Sequence, residues 1–295
     1  MVDDTNNNDQ NAGQTSGLGR RDFVALSVAA GLAGPAGAAD LKVVMTDVEI
    51  KTPDGTCDAA FIHPASDSHP GVIIWTDAFG LRPSFREMGK RLAAQGYSVL
   101  VPNPFYRVGK APFFVDASKV DFAKDRDKIN PLMASIGADG AVEKDAPAFI
   151  AFLDKQKQVN KSKKVGTQGY CMGGALVVRT AAAVPDRVGA GASFHGGGLV
   201  TDQKNSPHLL APKIKAKMYF GIAANDDMRQ PDAKVKLKEA FDAAGNPAEI
   251  EVYHESQHGW CVPDMPPGQN GPIYNKPDAE KAWAKLTVLY KSALA

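Results

Sequence analysis

The sequence contains little cysteine, has almost no charge imbalance and contains no apolar run of membrane-spanning length. Its 295 residues include three cysteines, Cys57, Cys171 and Cys261, with no C-x-x-C pair. Three cysteines build no disulfide framework and leave at least one thiol free, although the spacing leaves a Cys57–Cys261 bridge open. The formal net charge of +1 gives no sign of a nucleic acid or another polyanion as partner.

A polar segment, an arginine pair and a short apolar run follow one another at the N-terminus. Arg20 and Arg21 precede apolar residues 24–33, and small residues follow. This order is typical of a twin-arginine export signal, and the apolar run is too short and too rich in Gly and Ala for a membrane span. We predict a signal peptide over residues 1–39 and a periplasmic or secreted protein. A disordered tail with two chance arginines is the alternative.

The rest of the chain has the composition and pattern of one α/β domain. The whole sequence is 44% hydrophobic and 23% charged, without internal repeats or a Ser/Gly linker. Strand-like and helix-like runs alternate, which predicts a doubly wound, mostly parallel sheet flanked by helices over residues 40–295. The predicted strands are 42–50, 57–63, 71–76, 97–101, 164–169, 189–194, 216–222 and 248–253. The predicted helices are 84–95, 140–156, 172–183, 232–244 and 278–294. Residues 102–138 are predicted as a long irregular connection suited to ligand contacts.

The most informative motif is Gly169-Tyr170-Cys171-Met172-Gly173-Gly174, which closes a strand-like run and opens a helical one. A turn of this kind needs glycines because the central residue is strained and flanking side chains would collide with neighbouring elements. It exposes one reactive atom at a helix N-terminus, where free N–H groups and the helix dipole favour a thiolate. Cys171 is therefore the predicted nucleophile, and an inert buried thiol is the alternative.

A base and an acid follow the nucleophile in the order expected for a hydrolase sheet. Asp226 and Asp227 follow the seventh predicted strand, and His258 follows the eighth. A thiol nucleophile needs a base, and the base needs a carboxylate that fixes its tautomer. We predict His258 as the base and Asp226 as the acid, with Asp227 as the alternative acid. His195, which also follows a strand, is predicted to be structural or to support the site.

The turn after the third predicted strand, Thr76-Asp77-Ala78-Phe79-Gly80, supplies a further set of polar groups. In hydrolase sheets this turn and the residue after the nucleophile donate the two backbone N–H groups that bind the oxyanion. Those groups belong to Ala78 and Met172. Asp77 is predicted to accept a hydrogen bond from the resting thiol, and the alternative is a turn carboxylate that faces water.

Four segments together resemble the dienelactone hydrolase family. The segments are Gly169-Tyr170-Cys171-Met172-Gly173-Gly174, Asp77-Ala78-Phe79-Gly80, Pro102-Asn103-Pro104-Phe105-Tyr106-Arg107 and His258-Gly259-Trp260. The resemblance extends over residues 41–295. It implies a single α/β-hydrolase domain that cleaves a small ester or lactone and uses neither a metal ion nor an organic cofactor.

The resemblance also implies roles for individual residues. Cys171 corresponds to the nucleophile, His258 to the base and Asp226 to the acid. Asp77 corresponds to the acidic partner of the resting thiol, and Arg107 to the arginine that binds a substrate carboxylate. The expected partner is a small-molecule ester or lactone, and we expect neither a nucleic acid partner nor a stable membrane anchor. A monomer or a small homo-oligomer is expected.

Two departures from the family pattern bear on the substrate. Asp77 is one methylene shorter than the Glu of the best-known members, and their second carboxylate-binding arginine is absent from residues 261–264. A dienelactone is therefore not favoured over another small ester or lactone.

Two other functions remain open from the sequence. The first is a thiol redox protein, which would need Cys57 or Cys261 as a resolving cysteine. The second is a hydrolase fold without catalysis that binds a ligand through residues 102–138.

Overall fold

A computed structural model describes residues 41–294 of the chain. The predicted export signal at residues 1–39 lies outside the described residues and stays a prediction. Within residues 41–294, none of the helices has the length and apolar character that crossing a membrane demands.

An eight-stranded sheet forms the centre of the described chain, and its order is β1-β2-β4-β3-β5-β6-β7-β8. The strands are β1 Val43–Thr52, β2 Gly55–Pro64, β3 Gly71–Trp75, β4 Ser98–Pro102, β5 Val165–Tyr170, β6 Val188–Phe194, β7 Lys217–Ala223 and β8 Glu249–Tyr253. β2 runs antiparallel to both β1 and β4, and the remaining neighbours are parallel. The predicted mostly parallel sheet is confirmed. Each predicted strand begins and ends within two residues of the corresponding observed strand.

Helices follow the strands and cover the sheet. In the part of the chain described here they are α1 Pro83–Ala94, α2 Arg126–Gly137, α3 Ala141–Lys155, α4 Met172–Ala183, α5 Ala224–Arg229, α6 Ala233–Ala243 and α7 Lys276–Ala293. The five predicted helices are confirmed as α1, α3, α4, α6 and α7. The sequence prediction missed α2 because Pro131 interrupts its pattern. It also missed α5, a short helix that contains Asn225 and two aspartates, residue types that favour turns.

The sheet is packed on both faces by apolar side chains. One layer joins it to α3, α4 and α6 through residues such as Phe149, Val177 and Phe241. The other joins it to α1 and α7 through residues such as Phe85 and Leu286. Burial of this apolar surface drives folding and makes the sheet a rigid support for the turns at its edge.

The carboxyl ends of the parallel strands meet at one edge of the sheet. The segments that follow β3, β5, β6, β7 and β8 carry Asp77, Cys171, His195, Asp226 and His258, and Asp226 lies in the short helix α5. Ligand sites of open α/β sheets lie at this edge. The topology therefore brings residues from distant parts of the sequence to one place.

Candidate active site

Cys171 lies in the turn between β5 and α4 in a strained backbone conformation. Its φ is 54° and its ψ is −119°, a backbone conformation that residues other than glycine rarely adopt. The glycines around it allow the close packing of the turn. A Cβ atom on Gly169 would lie 2.1 Å from the carbonyl oxygen of Gly173, and one on Gly173 would lie 2.6 Å from that of Trp75. The thiol is partly buried and stands at the first turn of α4.

Replacing Gly173 with alanine is expected to lower the free energy of unfolding by about 1–3 kcal/mol, the usual cost of overpacking. The new methyl group would collide with the carbonyl oxygens of Trp75 and Thr76, and backbone atoms do not move aside cheaply. Gly137→Ala is the matched control because nothing lies within 4 Å of the added atom. Urea unfolding of both variants measures the difference, and equal stability of the two would contradict the packing described here.

His258, in the turn after β8, and Asp226, in α5 after β7, come together. The Nδ1 atom of His258 lies 2.7 Å from Oδ2 of Asp226, and the two side chains are 27% and 16% exposed. The backbone N–H of His258 donates to Oδ1 of Asn225 at 2.8 Å, which fixes the turn. Asp227 is instead paired with Lys234 at 2.7 Å. Of the two candidate acids, Asp226 is therefore the one that orients the imidazole.

Two neighbouring side chains, Asp226 and Cys171, set the pKa of His258. Burial alone would lower its pKa, but the hydrogen bond with Asp226 and the nearby side chain of Cys171 raise the pKa to about 10. The imidazole thus has a carboxylate on one nitrogen and the side chain of Cys171 nearby. A protonated imidazole in this position stabilises a thiolate and is able to donate a proton to a leaving group.

His195 is hydrogen bonded to the backbone of the predicted nucleophile. It is fully buried, has a φ of 41°, and its Nδ1 atom accepts the backbone N–H of Cys171 at 3.0 Å. Burial, followed by the nearby charge of His258, lowers the pKa of His195 well below its usual value, so this ring is neutral. Its ring centre lies 4.9 Å from that of His258. The structure therefore gives His195 the supporting position that the sequence predicted.

The turn after β3 approaches the start of α4. Gly173 packs against Trp75 and Thr76, which are followed in the chain by Asp77 and Ala78. Among the hydrogen bonds of residues 41–294, the backbone N–H groups of Ala78 and Met172 have no acceptor. Met172 is the first residue of α4, so its N–H lies at the positive end of a helix dipole. No residue of the described chain therefore competes for these two N–H groups, and their role as oxyanion donors stays a prediction.

Asp77 has a different partner from the predicted one. Its two carboxylate oxygens accept from Nη1 and Nη2 of Arg82 at 2.7 and 2.9 Å, and one also accepts from the backbone N–H of Phe79 at 2.9 Å. Nε of Arg82 donates to Asp264 at 2.7 Å. We call Asp77, Arg82 and Asp264 the Arg82 cluster. None of the hydrogen bonds of Asp77 within residues 41–294 involves Cys171, so the structure does not give Asp77 the predicted contact with the thiol.

The Arg82 cluster joins the turn of Ala78 to the loop that follows His258. The side chains of Arg82 and Asp77 are 0% and 1% exposed. Burial alone would lower the pKa of Arg82, but the charges and hydrogen bonds of Asp77 and Asp264 raise it above its ordinary value. The sequence analysis missed Arg82 and Asp264. Nothing in the local pattern marks an arginine and an aspartate 182 positions apart as partners.

Arg107 also forms ion pairs with carboxylates of the protein itself. Its Nη2 atom lies 2.8 Å from Oδ1 of Asp145 and 2.9 Å from Oδ2 of Asp54, and Nη1 donates to Asp145 as well. The hydroxyl of Tyr106 donates to the same buried carboxylate at 2.7 Å. The predicted role of Arg107 in binding a substrate carboxylate is therefore not what the structure shows. It ties the start of the 102–138 connection to α3.

All three cysteines are free thiols. Cys57 is buried and donates to the carbonyl oxygen of Asn103 at 3.4 Å, and burial raises its pKa. Burial also raises the pKa of Cys261 well above the ordinary value. The Cys57–Cys261 bridge that the spacing left open is not formed. Over residues 41–294, no group of three or more His, Cys, Asp or Glu side chains has the arrangement of a metal site.

The sequence of this chain is similar to that of known hydrolases. The sequence profile of the dienelactone hydrolase family matches residues 57–294. A carboxymethylenebutenolidase of Rhodococcus opacus is 26% identical over 215 residues, which cover 72% of this chain and 79% of that protein.

Solved structures share the fold. The dienelactone hydrolase-like promiscuous phosphotriesterase P91 from metagenomic libraries has a TM-score of 0.66 at 22% identity and covers 85% of this chain and 99% of its own. A dienelactone hydrolase of Anabaena variabilis has a TM-score of 0.55 at 16% identity, with 86% and 99% covered.

Proposed function

The chain belongs to the dienelactone hydrolase family, and we propose that it hydrolyses a small ester or lactone through a thioester on Cys171. The observation that supports this most strongly is the position of His258. Its imidazole is hydrogen bonded to Asp226 at 2.7 Å, and the side chain of Cys171 is close enough to help raise its pKa. A nucleophile, a base and an orienting acid in this relation are the requirements of acyl transfer.

In the first half of the reaction the sulfur of Cys171 attacks the carbonyl carbon. The thiol proton resides on His258, whose positive charge is stabilised by Asp226. The carbonyl oxygen gains negative charge and accepts hydrogen bonds from the N–H groups of Ala78 and Met172, each typically worth about 3 kcal/mol. The carbon–oxygen bond to the leaving group then breaks, and the imidazolium donates its proton to the departing oxygen.

In the second half a water molecule attacks the thioester. His258, now neutral, takes a proton from the water as the new carbon–oxygen bond forms. The carbon–sulfur bond breaks, the carboxylic acid is released, and the sulfur recovers the thiolate–imidazolium state. For a lactone the released alcohol and acid belong to one molecule, and the steps are otherwise unchanged.

The surroundings of Ala78 favour an uncharged acyl group. Ala78 and Phe79 pack with Ile129 and, at the edge of this cluster, with Phe114 and Met133. The arginine predicted to bind a carboxylate is held by two aspartates instead. We therefore propose a neutral, apolar acyl group rather than a carboxylate-bearing one.

The Asp226→Asn and Asp227→Asn pair tests the proposed site. The first substitution removes the charge that orients His258, and we expect kcat for p-nitrophenyl acetate to fall about 100-fold or more. Asp227 accepts a hydrogen bond from Lys234 and none from the imidazole. The Asp227→Asn variant should therefore retain activity within about threefold. Steady-state kinetics of the purified proteins give both values. Equal losses in the two variants would contradict the assignment of the acid.

A further inference from the structure

His195 contacts both groups whose relative position matters most for the proposed reaction. Its Nδ1 atom accepts the backbone N–H of Cys171 at 3.0 Å. Its ring centre lies 4.9 Å from that of His258, and the two ring planes make an angle of 65°. One side chain therefore joins the turn of the nucleophile to the imidazole of the base.

His195 is itself held firmly in place. Its side chain is fully buried, and its ring packs in a T-shaped arrangement against the buried ring of Trp260, with centres 5.1 Å apart. The backbone N–H of His195 donates to the carbonyl oxygen of Gly221 in β7 at 2.8 Å. Its φ of 41° is a strained conformation, which persists only where the surrounding structure fixes it. A ring held in this way is able to restrain a neighbouring ring.

The imidazole of His258 needs a second restraint besides its carboxylate. Its Nδ1 atom lies 2.7 Å from Oδ2 of Asp226, and the Asp226 side chain is 16% exposed. A single bond to a partly exposed carboxylate restrains rotation of the ring weakly, because the carboxylate is able to turn with it. The plane of the imidazole decides where its other nitrogen points, and that nitrogen exchanges protons with the sulfur and the leaving group.

We propose that His195 is a positioning residue whose ring fixes the plane of the His258 imidazole; this role rests on the proposed function, in which His258 is the base. The ring acts through packing rather than through its nitrogens. Within residues 41–294, Nε2 of His195 has no hydrogen-bond partner. The N–H group that Nδ1 accepts also donates to the carbonyl oxygen of Phe194 at 3.1 Å. A phenyl ring should therefore replace the imidazole at position 195, whereas a side chain without a ring should not.

Two substitutions of His195 separate packing from hydrogen bonding. Asparagine removes the ring, keeps an oxygen that accepts the N–H of Cys171 and tolerates a positive φ. Phenylalanine keeps a ring and removes the acceptor. With p-nitrophenyl acetate, we expect His195→Asn to lower kcat about 10–100-fold with KM within about threefold, and His195→Phe to lose no more than about fivefold in kcat. A larger loss of kcat in folded His195→Phe than in His195→Asn would overturn the proposal.

The pKa of His258 provides a readout that a loss of stability alone would not move. Burial lowers it, and Asp226 and Cys171 are the titratable groups that raise it, to about 10. His195 is neutral and contributes no charge that its replacement would remove. In an NMR titration of the histidines, we expect the pKa of His258 to fall by about one pH unit in His195→Asn, because a turning imidazole loses part of its hydrogen bond with Asp226. An unchanged pKa in this variant would overturn the proposal, whether or not His195→Phe folds.

His63→Asn is the matched control, because it removes another buried histidine ring. Nδ1 of His63 lies 2.7 Å from the carbonyl oxygen of Pro64. The neighbouring Ile62 pairs with Val99 near the beginning of β4, so His63 lies at the opposite edge of the sheet. We expect kcat within about threefold of the parent chain and an unchanged pKa of His258. Equal losses of kcat in His63→Asn and His195→Asn would contradict a specific role of His195.

The Cys171→Ala variant distinguishes failure of this proposal from failure of the proposed function. Full activity of Cys171→Ala would refute the thioester mechanism. An inactive Cys171→Ala together with a fully active His195→Asn would refute only the positioning role of His195.

Discussion

Cys171→Ala is expected to reduce kcat/KM for p-nitrophenyl acetate at least about 1,000-fold, because no other group in the turn is able to form the acyl intermediate. The alanine keeps the backbone of the turn and removes only the sulfur. Stability in urea should therefore change little. The strained conformation at φ 54° already holds a residue with a Cβ atom, so alanine introduces no new clash.

Cys261→Ala is the matched control for this substitution. Cys261 is a free, buried thiol outside the turn, and it belongs to the layer beneath α1 and α7. Its replacement should leave kcat/KM within about threefold, although the missing sulfur lowers stability by about 1 kcal/mol. If Cys171→Ala keeps more than about a tenth of the parental activity, another residue is the nucleophile.

Arg82→Leu is expected to lower the free energy of unfolding by about 3–5 kcal/mol, the usual result of removing one partner from a buried ion pair. The carboxylate of Asp77 would remain buried without a counter-charge, and Asp264 would lose its bidentate partner. Because Asp77 holds the turn that presents the Ala78 N–H group, activity should fall as well. Chemical denaturation of the purified variant measures the loss of stability.

Arg86→Leu provides the comparison, because Arg86 lies in the first turns of α1 and Arg82 directly precedes that helix. Arg86 pairs with Asp47 at the surface, where the side chains are 25% and 76% exposed. Exposed pairs of this kind contribute about 0–1 kcal/mol. Similar losses in Arg82→Leu and Arg86→Leu would show that the Arg82 cluster does not stabilise the fold in the way proposed here.

The fold could be predicted from sequence because its signals are local and repeated. Central strands such as β3 and β4 are short apolar runs, and helices such as α1 show a regular apolar spacing in Phe85, Met88 and Leu92. The glycines of the turn at Cys171 were equally informative, since the close packing leaves no space for larger residues. The prediction missed α2 because Pro131 contradicts the helical pattern locally, while packing of Ile129 and Leu132 stabilises the helix.

The partners of charged residues could not be predicted in the same way. Asp77 and Arg107 stand at positions where the family resemblance implies contacts with the thiol and the substrate. Their actual partners, Arg82 for the first and Asp54 and Asp145 for the second, are selected by tertiary packing. A carboxylate forms a pair with whichever cation the fold brings nearest, and the sequence alone does not rank those distances.

The measurement that tests the central proposal most directly is mass spectrometry of the protein quenched rapidly during turnover of p-nitrophenyl acetate. We expect one acetyl group on the peptide that contains Cys171, and we expect it to be absent from the Cys171→Ala variant. Turnover that proceeds with the acetyl group on another residue, and none on Cys171, would contradict the proposed thioester mechanism.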